Sequence, residues 1–589
     1  MSQLKSKRIG ITGLLKKLWT KLKKRRQVQL KVMIFVMLLS SFAEVISLAT
    51  VVPFLGILTN PEDVMNMSFF KNFALLFEIS NKSEFLFLIT LIFVLSAISS
   101  GMIRIFNIFL NGRLAAAIGA DLSCEAYERT LYQKYETHLQ RNSSSLISSM
   151  SKEIDRVITL VLNPLLQALT SLMITVGILI TLFVINWYAA LITSVSIIFV
   201  YLIASLANKR PLSKLGAQQV ELQKKLIQNV QEGLGSIKDV ILNTMQPVHV
   251  NIFSKAVNPL KRKEAQAIFL NHYPRLIIEP VGLSLIAILG FILVRNGELE
   301  KAIPTLGALA LGSMRLLPMA QRLYEGWSYP QNGKASLSNI LDLLDQPLNK
   351  EELLSNKKIF SFKENILFKN VCFSYSSNSI EVISNLNFEI KKGEKIGIIG
   401  ETGSGKSTIV DLIMSLIVPT SGQILIDGKD LNETKNSSII RKWKSSIVHV
   451  PQSIYLTDNS IAENIAFGIS PKAIDFERLK IAAKQAKIYS FIQSLPNKFQ
   501  TNIGENGVLL SGGQKQRLGI ARALYRDANI LILDEATSAL DNFTEKSIMD
   551  SIDKISDSLT LIMIAHRLSS LKSCDRIFEL KGKKLFISS

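Results

Sequence analysis

Between residues 157 and 208 the chain runs for 52 residues without one charged side chain. A helix crossing lipid satisfies its own backbone, and about 20 apolar residues span the hydrocarbon. This stretch is too long for one crossing, and Asn186-Trp187 offers a turn at the water interface, so it reads as two spans back to back. Four further apolar blocks have spanning length. The expected spans are 28–58, 85–110, 157–185, 188–207, 267–294 and 303–324.

Charge then sets the topology. The chain carries a formal charge of +21 and is 48% hydrophobic, with a mean hydropathy of +0.27. That apolar content excludes disorder. Cys124, Cys372 and Cys574 are too few and scattered for a disulfide scaffold, and the five histidines show no metal-ligand spacing. No Asp or Glu occurs in the first 43 residues, where lysines and arginines crowd positions 16–26. Ile11, Leu14, Leu15, Leu18 and Leu22 recur there at helical spacing, which predicts an amphipathic helix on the cytoplasmic lipid surface. The loops beyond 207 and before 267 are long and basic, whereas the opposite connections are short or acidic, as at Glu62-Asp63, Glu298 and Glu300. The positive-inside rule places both termini in the cytoplasm. The basic charge therefore reports topology, and nucleic acid is not an expected partner. The expected parts are a surface helix (1–27), a six-helix transmembrane domain (28–335), a linker (336–352) and an α/β domain (353–589).

Chemistry is concentrated in that last part. A short apolar run, 395–399, leads into Gly400-Glu401-Thr402-Gly403-Ser404-Gly405-Lys406-Ser407, followed by a helical pattern from Thr408. This is G-x-x-x-x-G-K-S in its strand–loop–helix setting, a loop whose backbone N–H groups curl around phosphates. Lys406 suits the outer phosphates, and Ser407 is placed to hold Mg²⁺. A second apolar run, 530–533, ends in Asp534-Glu535. Asp534 can reach Mg²⁺ through water, and Glu535 can polarise an attacking water.

Between these lies Leu510-Ser511-Gly512-Gly513-Gln514, on which the chain resembles an ATP-binding cassette (ABC) transporter of the exporter type. The resemblance implies further roles. Tyr375 would stack on adenine, Gln452 would sense Mg²⁺ and contact the membrane domain, and Asp541 would lie at a dimer interface. His566 would contact the γ-phosphate, and Gly504-Glu505-Asn506-Gly507 matches an exporter-type loop. The implied fold is a six-helix transmembrane domain in a domain-swapped dimer, followed by an α/β P-loop ATPase. Each ATP would lie between the phosphate loop of one subunit and the 510–514 segment of a second identical subunit. Coupling helices are expected near 138–145 and 243–251, docking near Gln452. The setting would be a bacterial inner membrane.

The cargo must be sought in the spans. Arg104, Arg275, Arg315 and Arg322 lie within or at the ends of apolar blocks, where each costs about 2.5–3.5 kcal/mol if exposed to lipid at the midplane. Arg315 falls roughly 18 Å into its span at the helical rise, near mid-membrane. The two readings are a cationic wall that receives a phosphate or pyrophosphate, and pairing with Glu44, Glu279 and Glu325 together with snorkelling of the arginines at the span ends. The membrane half is also similar to bacterial lipid-linked oligosaccharide flippases, through Ser41-Phe42-Ala43-Glu44, Val52-Pro53-Phe54, Pro274-Arg275 and Arg315-Leu316-Leu317-Pro318 with Arg322. That likeness implies a polyprenyl-pyrophosphate-linked saccharide handled by the four arginines. It also implies an external amphipathic helix, which Phe69, Phe70, Phe73, Leu76 and Phe77 would form. Another glycolipid, a peptide or a drug is the alternative cargo.

Overall fold

The computed structural model describes residues 10–59, 82–185, 187–295, 299–348, 360–375, 381–431, 437–526, 528–537, 540–553, 559–565 and 571–588. It divides into two units, Met1–Gln133 with Arg141–Leu348, and Lys134–Gln140 with Asn349–Ser589.

The first unit is helical: α1 (Ile11–Lys21), α2 (Lys24–Ala49), α3 (Val51–Thr59), α4 (Lys82–Leu131), α5 (Asn163–Ile185), α6 (Trp187–Gly235), α7 (Gln246–Arg295) and α8 (Leu299–Leu344). The first expected span is α2 plus α3, interrupted at Thr50 because Pro53 cannot donate to the Ala49 carbonyl. Helix α5 ends at Ile185 and α6 begins at Trp187; Asn186 of the expected interfacial turn lies outside the described residues. Among the described residues, four stretches are apolar and long enough to cross a membrane: Lys24–Leu58, Ser83–Leu131, Ser143–Val184 and Ala190–Gly235. The fifth and sixth expected spans fall in α7 and α8, which hold Arg275, Glu279, Arg315, Arg322 and Glu325. Helices of 46 to 50 residues are about 70–75 Å long, more than twice the hydrocarbon thickness of about 30 Å. The long basic loops are therefore helical continuations of the spans. The external segment with Phe69 to Phe77 lies outside the described residues.

Three expectations change. The stretch read as a linker from 336 begins as the end of α8, with Leu337, Ile340, Leu341 and Leu344 wholly buried. Helix α1 does not spend its apolar face on lipid. Leu14 and Leu18 pack among Leu114, Ile118, Leu337 and Leu341, while Lys17 and Lys21 both pair with Asp345 just beyond α8. The short helices of the regions where coupling helices are expected are also displaced from 138–145 and 243–251. One is Tyr135–Leu139, because the Asn142 side chain accepts from the Ser144 N–H and starts a separate helix, Ser143–Ser148. The other is Ile237–Leu242, closed by Thr244 in a left-handed conformation.

Close helix contact in this unit depends on small residues, as is usual within membranes. Gly216 on α6 faces the Asn332 carbonyl of α8, where a Cβ would meet that oxygen at 1.9 Å, and Gly326 on α8 faces Ala168 of α5. Upstream of α5, two π-helical turns, Ser149–Glu153 and Ile158–Leu162, place Glu153 and Arg156 inward. Asn339 donates to Glu153 at 2.7 Å, and Arg156 donates to Gln219 at 2.7 Å. A buried charge needs such partners.

The second unit contains two sheets. One is antiparallel, in the order β2 (Ile383–Lys391), β1 (Asn365–Phe373), β4 (Ser421–Ile426), β5 (Lys429–Asp430). The other has the order β10 (Lys584–Ser588), β9 (Arg576–Lys581), β3 (Lys395–Gly400), β8 (Thr560–Ile564), β7 (Ile530–Asp534), β6 (Ile447–Val450). From β9 to β6 its pairings are parallel. Its central strands are apolar throughout because both faces are covered; every residue of β8 is buried. One face packs on the helix after the phosphate loop, α9 (Lys406–Ile413), with Trp443 beneath it. The Trp443 indole is fully buried, donates to the Ile413 carbonyl at 2.7 Å and meets Phe360 and Phe362 edge to face. Trp443→Ala should cost about 3–5 kcal/mol through cavity formation and the lost bond. Thermal unfolding of the purified full-length protein should show a lowered melting temperature; an unchanged one would contradict this account of the core.

Candidate functional site

Parallel strands deliver their following loops to one edge, and here that edge gathers the nucleotide motifs. The loop Gly400 to Ser407 follows β3, Asp534-Glu535 end β7, and Gln452 stands two residues beyond β6. His566, two residues beyond β8, lies outside the described residues, as do Ser538 and Ala539. The loop turns on Gly403 at φ +81° and Gly405 at φ +109°, conformations that favour glycine. Gly405 caps α9 without a side-chain bond, so no cap side chain claims the first-turn N–H groups. Glu401 and Thr402 complete the loop, and the buried Ser404 hydroxyl finds no partner among the described residues. Lys406 folds back on its own loop, donating to the carbonyls of Gly400 and Glu401 at 2.8 and 3.0 Å. An uncapped helix start, an orphan hydroxyl and a lysine held only by carbonyls suit a polyphosphate.

Around this loop the side chains are pre-arranged. Gln452 Nε2 donates to Glu535 Oε2 at 2.6 Å, which leaves the amide oxygen for another contact. Glu535 sits at φ +49°, a conformation that costs a non-glycine residue energy and persists where surroundings enforce it. The Tyr375 hydroxyl meets Thr408 Oγ1 at 3.2 Å while the residue remains 46% exposed. The sequence reading missed Asp411. Burial, and then the Asp534 carboxylate, push its acid up to about 6. Its signal was a lone acid on α9 among Ile409, Val410, Leu412 and Ile413, all buried. Tyr135–Leu139 belongs to this unit as well: Val418 N–H donates to Glu136 at 3.4 Å. Burial, with Asp411 and Tyr375 nearby, raises the Tyr135 phenol.

The segment Leu510 to Gln514 forms a helix start. Ser511 and Gln514 make a capping box at the head of α10 (Gly512–Tyr525), and Ser511 and Gly512 are exposed. Leu510 anchors the segment in the core, while Val508 and Leu509 are about 70% exposed. Asp541 accepts from the Thr544 N–H at 2.9 Å, a contact that holds its carboxyl below the usual range.

In the helical unit the four arginines fall into two groups, each with an acid. Arg315 Nη1 bonds Glu44 Oε1 at 2.8 Å, and Nη2 reaches Ser47 at 3.4 Å. Ser100 donates to the other Glu44 oxygen. The second group surrounds Glu325. Gln321 donates to it at 2.8 Å, His272 lies 3.5 Å away, and Arg322 is within electrostatic reach of both Glu325 and Arg104. Arg275 faces the same group through Tyr201, which bonds Gln321 at 3.0 Å. With Glu279 four residues beyond Arg275 on α7, the four arginines still outnumber these three acids among the described residues, a positive excess of one.

Comparison with known proteins agrees with this geometry. Residues 33–303 match the family described as ABC transporter transmembrane region, and residues 383–538 match the family described as ABC transporter. An ATP-dependent lipid A-core flippase of Ralstonia nicotianae is 30% identical over 78% of this chain and 77% of its own. One of Cupriavidus pinatubonensis is 28% identical over 82% and 81%. Among solved structures, a bacterial Atm1-family ABC exporter with ATP bound superposes with a TM-score of 0.74 at 23% identity, covering 95% of this chain and 94% of that one. The chain thus belongs to the ABC transporter family, as an exporter-type half-transporter with a membrane-embedded helical domain followed by an ATP-binding, ATP-hydrolysing domain.

Proposed function

We propose that this ATPase drives a lipid with a phosphorylated headgroup, a polyprenyl-pyrophosphate-linked oligosaccharide, from the inner to the outer leaflet of a bacterial inner membrane. The observation that supports this cargo is the positive excess of Arg104, Arg275, Arg315 and Arg322 inside the helical unit. Charge in hydrocarbon is kept where it serves an ion path or a substrate. A second reading, a lipid A-core cargo, is favoured by the names of the relatives.

Two identical subunits would enclose two ATP molecules, both termini lying in the cytoplasm. Each ATP would lie against Gly400 to Thr408 and Tyr375 of one subunit and the Leu510 to Gln514 segment of the other, with Asp541 at the seam. A C₂ pair brings each such surface to its counterpart. Lys406 would exchange its loop carbonyls for the outer phosphates. Ser407, Asp534 and the amide oxygen of Gln452 are hard oxygen donors of the kind Mg²⁺ accepts when phosphates complete its shell. Mg²⁺ so held offsets negative charge on the phosphates. Glu535, oriented by Gln452, would accept the proton of the attacking water, and His566 would meet the γ-phosphate. ATP-driven closure of the pair would turn the cavity outward, and hydrolysis would reset it.

Glu535→Gln should lower ATP turnover by on the order of 10²–10⁴-fold, the usual worth of a general base, while nucleotide still binds. Phosphate release together with retention of labelled ATP measures both, and undiminished hydrolysis would reject Glu535 as the base. For the cargo, Arg104→Ala with Arg322→Ala should weaken the apparent affinity for a pyrophosphate-linked lipid at least about tenfold, since a charge-assisted hydrogen bond is worth about 1.5–3 kcal/mol. Liposomes carrying labelled pyrophosphate-linked saccharide or lipid A-core would report it. Flipping of the lipid A-core alone would establish the second reading.

A further inference from the structure

Helices α2, α4 and α8 meet at one point, where the Glu44 carboxylate is almost fully buried at 7% side-chain exposure and Arg315 is 31% exposed. The arginine bonds one Glu44 oxygen at 2.8 Å and Ser100 donates to the other. The anion-binding face of Arg315 is thus already occupied by an anion belonging to the chain. The asymmetry of exposure matters: Arg315 can be approached from an open side, and Glu44 cannot. The acid also keeps its Ser100 donor if the arginine turns away.

We propose that Glu44 is a resident counter-ion that an arriving headgroup must displace from Arg315, and that this exchange selects headgroups of two or more negative charges. The inference rests on the cargo reading above and adds a specificity-determining residue to it. The argument is electrostatic. A headgroup with one negative charge, such as the phosphodiester of an ordinary phospholipid, replaces one unit charge by another. It gains no Coulomb energy and leaves a buried carboxylate short of its cation, an arrangement proteins tolerate poorly. A diphosphate brings at least twice the charge to the same guanidinium and can overcome that loss. Bulk anionic phospholipid, present in vast excess, is thereby kept off Arg315. When the cargo leaves, Glu44 re-forms the pair, so the charge is never left alone and release is assisted.

The test uses the full-length protein in proteoliposomes of phosphatidylcholine, with or without phosphatidylglycerol, and a labelled polyprenyl-pyrophosphate saccharide. In phosphatidylcholine, Glu44→Gln should lower the KM for flipping about tenfold, the worth of one charge-assisted hydrogen bond, and lower kcat because release slows. Phosphatidylglycerol should raise the KM of Glu44→Gln and leave that of the wild type unchanged. Ser100→Ala, which strips the displaced carboxylate of its remaining donor, should shift KM the opposite way, upward by several-fold. It alone decides the matter if Glu44→Gln does not reach the membrane. A KM unchanged or raised in Glu44→Gln, or unchanged in Ser100→Ala, would make the pair a helix fastener and overturn the proposal. Failure of the wild type to flip any pyrophosphate lipid would instead remove the cargo reading and this inference with it.

Discussion

Hydrocarbon cannot solvate charge or free peptide groups, and the organisation of the helical unit follows from that constraint. The backbone is satisfied by long helices, glycine lets α6 and α5 each approach α8 to contact distance at Gly216 and Gly326, and the intramembrane arginines gather around Glu44 and Glu325. Glu44 and Arg315 illustrate the rule most clearly, because neither could be inserted alone at acceptable cost. The pair also joins α2 to α8 with Ser100 of α4 in the same contact. What solves an insertion problem therefore also ties three helices together.

The nucleotide unit obeys a different constraint. A parallel sheet covered on both faces must be apolar along its strands, so polar chemistry is expelled to the loops beyond their ends. In this chain those loops hold the phosphate-binding turn, Asp534, Glu535 and Gln452 along one edge. The sheet is consequently a ruler: neighbouring strands lie about 4.8 Å apart, which sets the lateral spacing of the groups that meet a nucleotide.

How much of this could be read beforehand depended on the range of the interaction. The spans and the phosphate loop are local patterns of apolarity, charge and glycine, and they were legible. The register of the helices was not, because it depends on which side chains of distant segments meet. Pairing of Arg315 with Glu44, 271 positions apart, could be proposed only as one of two alternatives. Helix α1 was read as lipid-bound because its amphipathic pattern is the same whether lipid or protein covers it; Asp345 and the end of α8 decided otherwise. The linker was placed too early since nothing in composition distinguishes a buried helix end from a connector. Asp411 escaped because its significance comes from Asp534, contributed by another strand.

Helix α8 is unbroken from Leu299 to Leu344, with Arg315 part-way along it and Asp345 just past its end. Thirty residues of helix separate those two, about 45 Å. A tilt of about 10° pivoting at Arg315 would therefore carry the far end through about 8 Å, given that rise per residue. Since Lys17 and Lys21 grip Asp345, α1 would be dragged along with it. An event at a single guanidinium in the bilayer is geared up, by leverage alone, to the dimensions of a helix diameter at the place where the chain leaves the membrane domain.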